Sequence, residues 1–225
     1  MRTASSLQQA ERMLETSFLG VARSGDLPYL IIGILPLFFS DFLVDVRANN
    51  VCRSVEFFSR APEPEQGNVF YTFDGLERRE NRFEYTVRLR RDGLLVISVQ
   101  LPLANPRTPR DILHRFFPVT IDTQLRTFAL KASVVYQAAT IGGPYVLGMM
   151  LRVPQLLVGS YPDALGLGEV DTPPVRERDY LFPFMQVDDL SGTDRAIRPL
   201  CDQVHQMFGR KGSPNFNADG EWIGR

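Results

Sequence analysis

The chain has 225 residues, of which 44% are hydrophobic and 11% aromatic, and its formal net charge is −1. This composition supports a buried core and excludes an intrinsically disordered chain. The near-zero charge excludes a general electrostatic attraction to nucleic acid or anionic lipid.

The first third of the chain predicts two helices and two strands. Apolar residues spaced for one helical face predict a helix over residues 5–23, and a second helix is predicted over 49–58. The uniformly apolar segment 29–35 is typical of a buried strand, and weaker alternation over 42–46 indicates another strand.

A β-hairpin over about 83–101 gives the clearest strand signal. A short strand is predicted at 69–73, and from Phe83 to Arg90 apolar side chains then alternate with polar or charged ones, which predicts a half-buried strand. Asp92-Gly93 supplies a tight turn, and the apolar segment 94–101 returns as a more central strand.

A central helix over about 121–141 organises the second half of the chain. Its apolar residues fall on two faces, which indicates a helix packed between other elements, and Gly142-Gly143-Pro144 is expected to end it. A strand over 145–153 follows directly.

Weaker elements surround this helix. A short helix is predicted over 111–117 before it, whereas 154–174, rich in glycine and proline, is expected to be irregular. A last strand over 180–187 and a final helix over 191–208 complete the series.

Strands grouped around hairpins, with helices before, between and after them, predict an α+β fold with a mainly antiparallel sheet. We interpret 27–211 as a single domain of this class. Residues 1–26 form an N-terminal helix or connector, and 212–225 form a turn-rich tail.

An arginine cluster around the hairpin is the first candidate site. The arginines could contact a phosphate backbone or a protein partner. They could instead form a solvated face and pair with cross-strand carboxylates, and we favour this carboxylate pairing. The cluster comprises Arg78, Arg79, Arg82, Arg88, Arg90 and Arg91.

A second candidate comprises Arg107, Arg110 and His114, which could line a pocket of an enzyme of unfamiliar type. Histidine can act in acid–base chemistry, but the spacing fixes no nucleophile or carboxylate beside it. We therefore assign no catalytic residue. The two cysteines, Cys52 and Cys201, are expected to be reduced thiols, and the sequence predicts no metal site and no cofactor.

The last helix and tail contain four recognisable sequence motifs. These are Arg198-Pro199-Leu200-Cys201-Asp202-Gln203, Phe208-Gly209, Ser213-Pro214-Asn215-Phe216 and Asp219-Gly220-Glu221-Trp222. These motifs resemble the C-terminal end of bacterial proteins that carry a Schlafen-like AlbA-type DNA-binding domain at their N-terminus. The resemblance would make most of this chain their accessory region. That N-terminal domain has no counterpart here, so no functional residue is carried over.

The sequence and this resemblance together predict a non-catalytic accessory, sensing or oligomerisation domain of a nucleic-acid-associated or defence-related bacterial system. We expect a protein partner or self-association, with nucleic acid reached through a partner module. No secretory signal or membrane-spanning segment is evident in the sequence, so we expect a cytoplasmic protein without membrane contact.

Overall fold

The computed structural model describes residues 2–21, 27–40, 43–58, 69–80, 85–103, 114–162, 168–190 and 192–224. Within these ranges the helices are α1 (Arg2–Leu19), α2 (Asn49–Glu56), α3 (Val119–Ala138) and α4 (Thr193–Met207).

The strands of the described residues run in chain order between these helices. They are β1 (Tyr29–Pro36), β2 (Val69–Tyr71), β3 (Gly75–Glu80), β4 (Tyr85–Arg90), β5 (Leu95–Gln100), β6 (His114–Phe116), β7 (Tyr145–Val153), β8 (Leu157–Pro162), β9 (Glu169–Asp171), β10 (Arg178–Leu181) and β11 (Met185–Val187).

One large antiparallel sheet dominates the fold. Its eight strands follow the order β10-β7-β1-β5-β4-β3-β2, and β11 also pairs with β7. A small sheet has the order β6-β8-β9, in which β6 and β8 run parallel. The predicted α+β class with a mainly antiparallel sheet is confirmed.

The two faces of the large sheet are covered unequally. Even-numbered residues of β1, such as Ile32, pack in the main core with α2, α3 and α4. On the opposite face, α1 lies against β1 and β7. There the absence of a side chain at Gly33 makes room for the ring of Phe18, since a Cβ atom at this position would come within 2.7 Å of the ring. Among the described residues, α1 does not pack extensively against β4, β3 or β2, which form the rest of this face.

The central helix differs from its prediction in two respects. It is packed between other elements as predicted, since it contacts α2, α4 and β1, but Leu130 and Val134 of its second apolar face are exposed. The helix also ends before the glycines. Thr140 takes the left-handed conformation at φ 58°, and the N–H of Ile141 bonds to the carbonyl of Tyr136 at 2.8 Å, as in a helix-terminating Schellman motif.

Four further predictions were wrong in their local structure. The helix over 111–117 is contradicted by strand β6, since a three-residue strand has too little periodicity to be recognised without its partner β8. Residues 43–46 form turns, and their buried valines pack from a loop. The segment 154–174 contains β8 and β9, and 180–187 is two strands separated by Pro183, which has no N–H to donate.

Among the described residues, no helix has both the length and the apolar composition that are needed to cross a bilayer.

Candidate functional site

A buried hydrogen-bonded cluster centres on Asp122. Its Oδ2 accepts from His205 Nε2 at 2.9 Å, from Ser213 Oγ at 2.6 Å and from Asn215 Nδ2 at 3.0 Å. Because a carboxylate only accepts, His205 carries a proton on Nε2, and its Nδ1 lies 2.8 Å from the hydroxyl oxygen of Tyr161. Sequence reasoning missed this cluster.

The cluster joins segments that are distant in the chain. Asp122 lies in the first turn of α3, where the helix dipole favours a negative charge. Tyr161 is on β8 and His205 is near the end of α4. Burial raises the pKa of Tyr161, so its hydroxyl keeps its proton. A signal for His205 existed, because it follows Cys201 by one helical turn on the inward face of α4.

In hydrolases a carboxylate orients an imidazole, and the imidazole takes the proton of a nucleophilic hydroxyl, but the burial here favours a structural role. Asp122 and His205 have no exposed surface, and Tyr161 is only 5% exposed. The Arg210 guanidinium lies 4.6 Å from the centre of the Tyr161 ring. Burial also raises the pKa of the Cys201 thiol, which disfavours a reactive thiolate.

Further contacts beside the Asp122 cluster hold the C-terminal segment against α3 and α4. The N–H of Ser213 donates to Asp202 Oδ1 at 2.8 Å. Trp222 packs edge-on against Phe216 at 5.3 Å, and the guanidinium of Arg126 lies 5.1 Å from the centre of the Trp222 ring. Ser213, Asn215 and Trp222 of the tail therefore connect α3 with α4.

The predicted arginine cluster is divided between two faces of the sheet. Arg78 is buried on the α2 face, where it donates to Glu80 Oε1 at 3.0 Å and to the carbonyl of Glu56. Arg91 lies in the turn after β4 and lines an open cleft with Asp45. Arg82 lies outside the described residues.

The remaining arginines share the face that carries α1. Cross-strand pairing places Phe70, Glu77 and Arg88 in one row, and Arg79 and Arg90 follow at spacings of two. Glu77 accepts from Arg79 and, at 2.6 Å, from Arg88 Nε. The two guanidinium side chains are 60% and 48% exposed, whereas that of Glu77 is 6% exposed.

Arg90 repeats this arrangement at the end of β4. Its Nη2 lies 2.8 Å from Oδ2 of Asp92, and Asp92 is also buried, whereas Arg90 is 41% exposed. Buried carboxylates thus orient guanidinium groups that face the solvent. The Arg88–Glu77 pair is cross-strand, as the favoured sequence alternative expects, whereas Arg79 and Arg90 pair with carboxylates two residues away in the chain. Binding of a partner or of nucleic acid by these arginines stays a prediction.

A cleft of about 390 Å³ lies on this face, between the end of α1 and the β2–β3 turn. Val96 and Leu94 contribute apolar surface, whereas Ser17, Thr72 and Arg88 contribute polar groups.

Exposed aromatic side chains surround β2. Phe70 and Tyr71 are within the strand, Phe73 is in the turn that follows it, and Phe57 follows α2, which contacts β2. All are more than half exposed, and Phe73 is fully exposed. None of these four residues was among the predicted site residues. The available signal was the concentration of aromatic residues in and directly after the predicted strand over 69–73.

The alternative pocket around His114 is only partly described. His114 lies on β6, and its Nε2 is 2.7 Å from Oε1 of Gln155, a neutral amide that is neither a nucleophile nor a base. Arg107 and Arg110 lie outside the described residues. In the part of the chain that the structure describes, no group of three histidine, cysteine, aspartate or glutamate side chains is arranged to hold a metal ion.

Comparison of the chain with protein-family models, curated proteins and solved structures gives no match.

Proposed function

We propose that this chain is a non-catalytic interaction domain that binds a protein partner at the β2 surface, defined as Phe57, Phe70, Tyr71, Phe73, Arg79 and Arg88. It would serve as an accessory, sensing or oligomerisation module of a cytoplasmic, nucleic-acid-associated bacterial system. The association with nucleic acid rests on the resemblance of the C-terminal motifs.

One observation carries the proposal: exposed aromatic and guanidinium side chains are concentrated around a single edge strand. Exposed aromatic groups at a rim of polar groups are typical of protein interfaces, in which aromatic residues and arginine are enriched. The buried cluster of Asp122 and His205, by contrast, is engaged in holding the C-terminal segment.

Photo-crosslinking in expressing cells tests this function. A benzophenone amino acid replaces Phe73 in one variant and Val134, which is also exposed but lies on α3, in a matched control. We expect one discrete adduct, with another protein or with a second copy of the chain, at position 73 and none at position 134. Equal labelling at the two positions, or none at position 73, would refute the proposal.

Direct binding of single-stranded nucleic acid is the second candidate, because Arg79, Arg88 and exposed Phe70 share one sheet face. Proteins that bind single strands combine cationic groups with aromatic rings on which bases stack. The carboxylate partners of these arginines weigh against it. Titration of a fluorescent twelve-residue oligothymidine at several salt concentrations tests it. Salt-dependent binding that is lost when Arg79, Arg88 and Arg90 are replaced by serine would support this candidate.

A further inference from the structure

The outer edge of β2 presents backbone groups that no other strand of the described residues pairs with. The N–H of Thr72 bonds to the carbonyl of Gly75 at 2.9 Å and closes the turn between β2 and β3. In an antiparallel pair, successive residues alternate between bonding to the partner strand and pointing away from it. Phe70 therefore bonds to β3, whereas Val69 and Tyr71 direct their N–H and C=O groups outwards. Within the described ranges, β2 pairs with β3 alone.

Aromatic side chains flank this edge on both faces of the sheet. Phe70 shares the α1 face with Glu77, whereas Tyr71 lies on the other face, where its hydroxyl is 3.2 Å from Sγ of Cys52. A strand added to β2 would have its alternate side chains next to one or the other of these rings.

The charge on the α1 face selects the chemistry of such a strand. Arg79 and Arg88 are exposed above the buried carboxylate of Glu77. This trio has a net charge of about +1, because one carboxylate offsets two guanidinium groups. Asp74 in the β2–β3 turn is also exposed, so a side chain meets a cationic group on this face only at the Val69 end of β2, near Arg79. At that end the charge favours aspartate or glutamate.

We propose that β2 binds an extended segment of a protein partner, which continues the sheet as a further strand. Apolar side chains of the segment pack on Phe70 and Tyr71, and an acidic side chain on the α1 face lies towards Arg79. This inference rests on the proposed function and specifies the partner of the same surface. It assigns recognition to main-chain hydrogen bonds at Val69 and Tyr71, with side chains providing selectivity.

A random heptapeptide library displayed on phage, selected on the immobilised full chain, provides the probe. We expect enriched sequences in which β-branched or aromatic residues alternate with polar ones and at least one is acidic. In the synthetic peptide that binds best, N-methylation of the amides facing β2 should weaken binding about tenfold or more, because a hydrogen bond is replaced by a clash. N-methylation of the alternate amides should leave binding within about twofold.

Substitutions in the chain test the same contact from the other side. Tyr71→Pro removes the outward N–H together with the ring, whereas Tyr71→Ala removes only the ring, so the proline variant should bind more weakly. Urea unfolding monitors whether both variants are folded. If Tyr71→Pro does not fold, the N-methyl series alone decides.

Several results would overturn the inference. These are the absence of an alternating consensus, equal effects of both sets of N-methyl groups, and binding of oligothymidine that displaces the selected peptide. If the adduct at position 73 forms in cells but no strand-like peptide is selected, the inference fails and the interaction domain stands. If that adduct is also absent, both fail.

Discussion

The carboxylate of Asp122 provides the sharpest test of how the C-terminal segment is held. Asp122→Ala removes the common acceptor of His205, Ser213 and Asn215. Ser213 is half-buried and can donate to water instead, but His205 and Asn215 are buried donors. Each buried donor left without an acceptor costs about 1–3 kcal/mol. We therefore expect Asp122→Ala to lower the free energy of unfolding by about 2–6 kcal/mol.

A matched control joins the same two helices. Asp194 of α4 pairs with Arg126 of α3 at 2.7 Å, but both side chains are about one-third exposed. A partly solvated pair contributes little, so Asp194→Ala should cost about 1 kcal/mol or less. Urea unfolding followed by circular dichroism measures both variants.

The single tryptophan reports on the tail directly. Trp222 rests on Phe216 and Arg126, and release of the C-terminal segment would expose its ring to solvent. We expect stronger acrylamide quenching of Trp222 fluorescence in Asp122→Ala than in Asp194→Ala. If the alanine variant at 122 stays within about 1 kcal/mol of the parent chain, or is more stable because the desolvation of a buried charge dominates, the argument is wrong.

Three further predictions concern the core and its titrating groups. Gly33→Ala should destabilise the chain by about 1–3 kcal/mol through overpacking, whereas Gly142→Ala, which meets no atom within 4 Å, should have little effect in the same urea assay. Burial raises the pKa of Tyr161 in the folded chain, so the associated stability is fully present below the unfolded pKa of about 10. It is lost as the pH rises from there towards the folded-state pKa. The free energy of unfolding, measured with urea at pH 9–11, should therefore fall less with pH in Tyr161→Phe than in the parent chain. Because burial raises the pKa of the Cys201 thiol, iodoacetamide at pH 8 should label Cys52 first and Cys201 only on unfolding. Mass spectrometry measures the order of labelling, and earlier modification of Cys201 would contradict the prediction.

Local patterns determined the longer helices and strands of this chain. The alternation before Asp92 specified β4, and the 3.6-residue spacing of apolar side chains specified α1, α3 and α4. These patterns predicted the elements correctly because each pattern arises when a single element buries one of its faces. They fail for β6, whose three residues form a strand only because β8 lies beside them.

Tertiary packing, which no local pattern encodes, decided the candidate sites. Arg78 and Arg79 are neighbours in the sequence, yet the pleat puts one in the core against α2 and the other at the surface. Asp122, Tyr161 and His205 meet although 83 residues separate the first from the last, because α3, β8 and α4 pack together around them. The sequence by itself determined the four helices, the long strands β1, β4, β5 and β7, and the α+β class. Only the tertiary structure decided which side chains converge and which stay exposed, because those contacts join segments that are far apart in the chain.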